Sequence, residues 1–278
     1  MADGIAVTRD GHRTWLKWHR ARKTGTDLPF TAERILEGLR LGASVEIDLV
    51  RHADGGFAVL HDFMLNHGTT GSGRVSASSA ETLRALALRD AAGRPTAHRP
   101  MLFDDLCALL AAGGDISPDA VLQLDLKEDA PALDDRVVGS FATAVTAIAS
   151  HFILSGGHPR AIARLADAVP GLAVGFDPCH EGSIDRLAKT RDFTRFVADA
   201  LAPFPQAEMI YLEHRLIAFG ERHSFDLVAA FHAAGKRIDG YTLEVADRKT
   251  AATAEKLLAF KVDQITTDDP VGLERLLG

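Results

Sequence analysis

The sequence predicts a single α/β domain, a (β/α)8 TIM-like barrel with a small hairpin and loop insertion after the second strand. Strand-like and helix-like segments alternate about eight times over roughly 250 residues. No linker rich in proline, glycine or serine divides the chain, and 278 residues suffice to bury one large core. We therefore expect one domain over residues 1–278. A doubly wound open sheet alternates in the same way, so alternation alone leaves that fold open.

The predicted strands are short apolar runs bounded by turn residues. In chain order they cover residues 14–19, 45–50, 58–61, 121–126, 152–154, 172–176, 209–212, 238–242 and 264–266. The predicted helices have apolar residues at helical spacing. They cover residues 31–41, 80–86, 104–110, 134–149, 159–168, 224–234 and 251–260.

The segment from residue 51 to residue 74 interrupts this alternation. Two strand-like runs flank Asp54-Gly55, a dipeptide typical of tight hairpins. A loop rich in glycine and threonine follows at residues 66–73. Because this loop has no apolar residues to bury, we expect it over the rim of the barrel, where loops usually carry function.

Composition excludes several classes of partner. The formal charge is −7, and no basic run is long enough to follow a nucleic-acid backbone. No segment approaches the roughly 18 apolar residues of a membrane span, so we expect no membrane insertion. The N-terminus has no signal-peptide pattern, and two cysteines without metal-type spacing suit a reducing compartment, which predicts a cytoplasmic protein. The sequence does not indicate an oligomeric state.

Two strands place carboxylates on one face. In the strand at 45–50, Glu46 and Asp48 share a face, because side chains alternate along a strand. Two buried carboxylates repel each other, and a divalent cation with oxygen ligands resolves that repulsion. Asp125 and Lys127 repeat the arrangement at the end of a middle strand, where barrel active sites lie. The alternatives are an exposed edge strand for the first pair and a solvated ion pair for the second.

Two histidines end strand-like runs. His19 is followed by Arg20, and His61 by Asp62. Imidazoles that titrate near neutrality suit the proton transfers of phosphodiester cleavage, and Arg20 can hold phosphate oxygens in a bidentate manner. The other ten histidines have no comparable setting. Lys17 shares a face with His19 and is interpreted either as a phosphate contact or, preferably, as a side chain that snorkels at the barrel bottom.

Taken together, these residues resemble the glycerophosphodiester phosphodiesterase family, whose members share a TIM-barrel-like fold. The most specific block of the resemblance is residues 42–62, and residues 65–75, 235–242 and 267–270 are similar to later parts of the family pattern. The resemblance implies hydrolysis of a small phosphodiester to sn-glycerol 3-phosphate and an alcohol, through a cyclic phosphate. It also implies one divalent metal ion, Mg²⁺ or Ca²⁺. By this resemblance the metal ligands are Glu46, Asp48 and Asp125, and the acid/base pair is His19 and His61. The resemblance also implies that Arg20 and Lys127 contact phosphate and that Tyr241 is an aromatic residue near the substrate.

Four positions depart from the family pattern. Asp125 stands where a longer glutamate is usual, and Tyr241 stands where tryptophan is usual. Ala21 replaces the glycine after His-Arg, which bears on how closely the backbone approaches phosphate. Phe30 lies in Pro-Phe-Thr where Pro-Glu-Asn is usual, so we expect a polar supporting group to be lost.

Three other functions stay open from the sequence. Phospholipase-D-like enzymes of the sphingomyelinase D type share the barrel, the two histidines and an Asp-x-Lys motif, and they cleave lysophospholipids. A barrel that only binds a phosphorylated metabolite would need no pair of proton carriers, and neither would a metal-dependent lyase. The sequence also leaves open which histidine is the acid and which metal is preferred.

Overall fold

The computed structural model describes residues 2–112 and 115–278. Within these residues ten strands form one sheet: β1 (Ala6–Arg9), β2 (His12–Trp18), β3 (Ser44–Arg51), β4 (Phe57–Val59), β5 (Val121–Leu126), β6 (Phe152–Ser155), β7 (Ala173–Phe176), β8 (Met209–Glu213), β9 (Arg237–Leu243) and β10 (Gln264–Thr267). Eight of them, β2, β3 and β5 to β10, are parallel neighbours that close into a barrel. The predicted barrel is confirmed. The open sheet is wrong, because β2 pairs with β3 as well as with β10.

The seam between β2 and β3 shapes the mouth of the barrel. Trp18 of β2 pairs with Val45 of β3. The beginning of β2 pairs with antiparallel β1, and the end of β3 pairs with antiparallel β4. The chain after β4 therefore lies at the carboxyl end of the seam. His61, which follows β4, reaches the mouth by this route, as the predicted hairpin insertion requires.

The helices cover the outside of the barrel and the insertion. They are α1 (Ala32–Leu41), α2 (Leu65–Gly68), α3 (Ala80–Ala85), α4 (Phe103–Ala111), α5 (Asp135–Val145), α6 (Pro159–Ala166), α7 (Ser183–Thr190), α8 (Phe193–Leu201), α9 (His214–Arg222), α10 (Leu227–Ala233), α11 (Arg248–Ala259) and α12 (Pro270–Leu277). The sequence pattern missed β1, α2, α7, α8, α9 and α12. The missed elements have four to nine residues, but α3, α4, α6 and α10 are equally short and were predicted, so length alone does not explain the omissions.

The two sides of the barrel wall differ in polarity. The outer side packs apolar strand residues such as Val45, Ile47 and Leu124 against the helices. The interior holds a buried ion pair, with Lys17 Nζ 2.8 Å from Asp239 Oδ2, and both side chains are at most 2% exposed. The snorkelling interpretation of Lys17 is therefore wrong, because the Lys17 side chain lies inside the closed barrel and pairs with Asp239 instead of reaching water at the bottom.

Among residues 2–112 and 115–278, no helix combines the length and the apolar character needed to cross a bilayer.

Candidate active site

The polar side chains converge on one cavity at the carboxyl ends of the parallel strands. Its volume is about 310 Å³. All eight residues singled out from the sequence line it: His19, Arg20, Glu46, Asp48, His61, Asp125, Lys127 and Tyr241. Lys17, Gln123, Asp177, His180, Tyr211, Thr242, Glu244 and Thr266 complete the lining. The cavity lies where barrel enzymes carry their active sites.

Three carboxylates form the floor of this cavity. Asp48 of β3 lies opposite Asp125 of β5 in the strand register, and Glu46 precedes Asp48 on the same face. One oxygen from each of the three lies within 4.8 Å of the others. Glu46 is 4% exposed and Asp48 is 1% exposed. The exposed-edge interpretation of this strand is wrong, because β3 lies between β2 and β5 in the closed barrel.

The carboxylates are electrostatically crowded. Burial, with the nearby carboxylates of Asp48 and Asp125, raises the pKa of Glu46 well above its ordinary value. Asp48 Oδ2 is buried and has no hydrogen-bond partner among the described residues. A buried carboxylate oxygen without a partner costs free energy. The cluster is therefore suited to a cation with oxygen ligands.

Lys127 supplies one positive charge to this cluster. Its Nζ lies 2.7 Å from Asp48 Oδ1 and 2.5 Å from Asp125 Oδ2. Burial alone would lower the pKa of Lys127, but the carboxylates around it raise it instead. Burial alone would raise the pKa of Asp125, but the neighbouring ammonium lowers it overall. The predicted Asp125–Lys127 ion pair is present, and it is joined to buried Asp48 rather than isolated at a solvated strand end.

His19 and Arg20 lie in a tight turn after β2. Arg20 and Ala21 have φ values of 54° and 57°, in the left-handed region that glycine adopts at least cost. This conformation explains why a glycine suits the position of Ala21. The turn points the Arg20 N–H at Glu46 Oε2, at 2.6 Å. Arg20 Nε lies 3.7 Å from Asp48 Oδ2.

Each of the two histidines has an acidic partner on Nδ1. His19 Nδ1 lies 2.5 Å from Asp268 Oδ1, and His61 Nδ1 lies 3.0 Å from Asp62 Oδ1. Burial lowers the pKa of His19, and the Asp268 carboxylate offsets this only in part. With Nδ1 engaged, Nε2 is the ring nitrogen left to exchange protons. Sequence reasoning assigned no role to Asp268, although it directly follows β10 at the barrel mouth.

Two residues on the opposite side of the mouth, Asp177 and His180, were missed by the sequence analysis. Asp177 Oδ2 accepts the Tyr241 hydroxyl at 2.7 Å and lies 3.0 Å from His180 Nε2. The hydrogen bond to Asp177 raises the pKa of His180 despite burial. The Cβ of any residue at Gly157 would come 2.3 Å from the His180 ring, so glycine makes room for it. The sequence signal was a polar cluster directly after a strand, at Asp177-Pro178-Cys179-His180.

Most of the chain matches the profile of one known protein family. The profile of the glycerophosphoryl diester phosphodiesterase family matches residues 19–271. The chain belongs to this family. The resemblance inferred from the sequence is thereby confirmed, and the protein is a phosphoric diester hydrolase. No curated protein sequence matches the chain.

Solved structures of this family share the barrel. A structure from Silicibacter pomeroyi DSS-3 has a TM-score of 0.70 at 20% identity, covering 95% of this chain and 92% of that chain. A glycerophosphodiester phosphodiesterase from Agrobacterium tumefaciens str. C58 has a TM-score of 0.64 at 18% identity, covering 94% and 99%. An Oleispira antarctica phosphodiesterase in complex with sn-glycerol-3-phosphate has a TM-score of 0.63 at 17% identity, covering 94% and 96%. At these identities the likeness shows the common fold alone.

Proposed function

We propose that this protein hydrolyses glycerophosphodiesters to sn-glycerol 3-phosphate and an alcohol, by histidine acid/base catalysis at a divalent metal site. The observation that carries the proposal is the meeting of two proton-carrying imidazoles with a carboxylate cluster in one cavity. A barrel that only binds a phosphorylated metabolite would need the charged groups but not both histidines. The Oleispira antarctica relative was crystallised with the product expected from this reaction.

The proposed chemistry assigns one proton transfer to each histidine. A hydroxyl of the glycerol group attacks phosphorus, and one imidazole Nε2 takes its proton. The other imidazole gives a proton to the departing alcohol oxygen, which leaves a cyclic phosphate. Water then opens the ring, and the two imidazoles exchange roles. Asp268 and Asp62 hold the rings by Nδ1 throughout, so each Nε2 can face the substrate.

A divalent metal, Mg²⁺ or Ca²⁺, fits Glu46, Asp48 and Asp125. These residues offer hard oxygen ligands, and Asp48 Oδ2, which has no hydrogen-bond partner among the described residues, is available as a metal ligand. When bound, the ion supplies positive charge to the phosphate oxygens. Asp125 is shorter than the usual glutamate, but its carboxylate still lies within the cluster because β5 is directly paired with β3.

The substrate contacts are assigned to Arg20, Lys127 and Tyr241. The Arg20 guanidinium can bind phosphate in a bidentate manner, and Lys127 adds a point charge. The hydroxyl of Tyr241 is bound to Asp177, so the ring is held at the cavity wall in a fixed orientation. An aromatic ring fixed in this way can pack against the carbon atoms of the substrate.

Release of glycerol 3-phosphate tests the proposal. Metal-stripped protein is incubated with glycerophosphocholine or glycerophosphoethanolamine, with and without Mg²⁺ or Ca²⁺. We expect metal-dependent release that is lost in His61→Ala. His67→Ala is the matched control, since His67 also lies near Asp62 (Nδ1 to Oδ2, 3.5 Å) but does not line the cavity. Absence of product with every metal would overturn the proposal, as would equal activity in the two variants. Cyclic phosphate accumulating from a lysophospholipid would favour the sphingomyelinase D type of reaction instead.

A further inference from the structure

A second cavity opens beside the proposed catalytic residues. Its volume is about 100 Å³, and it shares Arg20 and His61 with the main cavity. We call it the apolar pocket, and its carbon-rich walls come from Leu28, Phe30, Leu60, Met64 and Leu88. Three of these side chains, Phe30, Leu60 and Leu88, are at most 5% exposed.

Phe30 gives the apolar pocket its character. The family pattern has glutamate at this position, and a carboxylate there would make the wall polar. The Phe30 N–H donates to Arg20 O at 2.9 Å, which ties the segment to the turn that carries His19 and Arg20. The departure at Phe30 therefore changes a surface directly beside the reacting groups.

Two polar residues in the wall of the apolar pocket, Thr69 and Arg89, already have partners in the protein. Thr69 Oγ1 donates to Leu65 O at 2.7 Å. The Arg89 guanidinium donates to Thr69 O at 2.8 Å and to Gly93 O at 2.7 Å. Because Thr69 and Arg89 are engaged within the protein and five apolar side chains form most of the wall, the part of the pocket away from Arg20 and His61 favours an apolar group.

We propose that the apolar pocket binds a short apolar group on the alcohol portion of the phosphodiester. This inference rests on the proposed function, and it names the substrate class as glycerophosphodiesters of small apolar alcohols. An apolar cavity of about 150 Å³ holds a benzene molecule, so this smaller pocket suits about three to five carbon atoms. Long acyl chains exceed it. The glycerol hydroxyls then lie toward the polar side of the mouth, near Asp177 and Tyr241.

This placement also assigns the two histidines. The alcohol oxygen leaves next to the pocket, so His61 Nε2 gives it a proton as the bond between phosphorus and that oxygen breaks. His19 Nε2 accepts the proton of the attacking glycerol hydroxyl. Water later returns a proton to His61 and opens the cyclic phosphate, while His19 protonates the glycerol oxygen that is released. Atoms and protons balance over the two steps, with one water consumed.

A series of sn-glycerophosphoalcohols with methyl, ethyl, propyl, butyl, hexyl and octyl groups tests the inference. We expect kcat/KM to rise by about fourfold for each added methylene up to about four carbons, as burial of each group removes it from water. Beyond that length we expect no further gain. Glycerophosphocholine, with its charge, should be a poorer substrate than the butyl ester.

Variants show whether the apolar pocket causes this preference. Leu28→Gln and Met64→Gln should each lower the ratio of butyl to methyl kcat/KM by roughly tenfold. Leu86→Gln is the matched control, because Leu86, like Leu28, is partly buried against the same small apolar cluster but does not line the pocket. A ratio within one variant is independent of how much protein is folded. Its value in Leu86→Gln should match that of the unaltered protein.

The outcomes separate the two proposals. Hydrolysis of every ester at one rate would overturn the inference and leave the proposed function standing. An equal shift of the ratio in Leu28→Gln and Leu86→Gln would also overturn the inference. Absence of hydrolysis for all esters with Mg²⁺ and with Ca²⁺ would overturn the proposed function and this inference with it.

Discussion

The two sides of the active-site mouth satisfy their polar groups in different ways. On the side formed by β2, β3 and β5, Asp48 Oδ2 and Arg20 Nε are buried without hydrogen-bond partners among the described residues. On the side formed by β7 and β9, Asp177 accepts hydrogen bonds from the Cys179 N–H at 2.8 Å and from the Tyr241 hydroxyl at 2.7 Å. The first side therefore holds two buried polar atoms that no described protein group satisfies by hydrogen bonding, whereas the second is complete, because both carboxylate oxygens of Asp177 have partners. We infer that the first side carries the chemistry at a cost in stability, and that the second provides a rigid wall.

The largest expected difference between the sides is catalytic. His19→Gln should lower kcat by about 10²- to 10⁴-fold, because it removes one proton carrier. His180→Gln, on the opposite side, should lower kcat by only about tenfold or less, the effect of one hydrogen bond. Steady-state kinetics at saturating metal measures both values, and metal affinity by calorimetry should be unchanged in His19→Gln. A greater loss in His180→Gln would reverse the comparison.

Stability of the metal-free protein should respond in the opposite sense to activity. Glu46→Gln should raise the free energy of unfolding by about 1–3 kcal/mol at pH 8, because it removes one of three crowded carboxylates while keeping an acceptor for the Arg20 N–H. The same substitution should abolish activity.

The sign of the pH dependence follows from the raised pKa of Glu46. Between its unfolded and folded pKa values the native state binds more protons than the unfolded state, so stability decreases as pH rises. The gain in Glu46→Gln should therefore be larger at pH 8 than at pH 5. Urea unfolding in EDTA measures it, with exposed Glu81→Gln as the control. Destabilisation by Glu46→Gln at both pH values would contradict the view that this side is strained.

On the complete side, removal of a polar group should destabilise the protein. Tyr241→Phe deletes the hydroxyl that donates to Asp177. We expect the free energy of unfolding to fall by about 1–2 kcal/mol, since the acceptor is a largely buried carboxylate. Thermal and urea unfolding of the metal-free protein measure this loss. If Tyr241→Phe were neutral, the wall would not depend on this network.

The smallest expected effect concerns the backbone at the turn after β2. Ala21→Gly should stabilise the protein by about 0.5–1 kcal/mol, because φ at this residue is 57° and glycine adopts that region without a Cβ clash. Ala85→Gly, in helix α3, is a matched control that should have the opposite sign. Urea unfolding curves of the two variants give the comparison. Destabilisation by both would show that the turn is not strained.

Much of the barrel and of the catalytic side was predictable because its signals are local. Strand β5 forms at the residues predicted for it, 121–126, because leucine occurs at every second position through the whole strand. The eight residues named from the sequence follow or lie within such strands. Parallel strands bring their carboxyl ends to one edge, which places seven of the eight at a single cavity, and the chain after antiparallel β4 brings His61 to the same cavity. Local order along the chain thus determined the fold class and this set of residues.

Tertiary structure alone decided how these residues are paired. Asp268 contacts His19 across 249 positions of sequence, and Lys17 forms its ion pair with Asp239 across the closed barrel. From the sequence, Phe30 was interpreted as the loss of a polar group, but packing places its side chain in the wall of the apolar pocket. Spacing along the chain carries no information about such partners, because each is set by barrel closure and by which strands become neighbours. The sequence by itself determined the reaction class and the residues proposed for it, and the closed barrel determined their partners, their burial and the shape of the space between them.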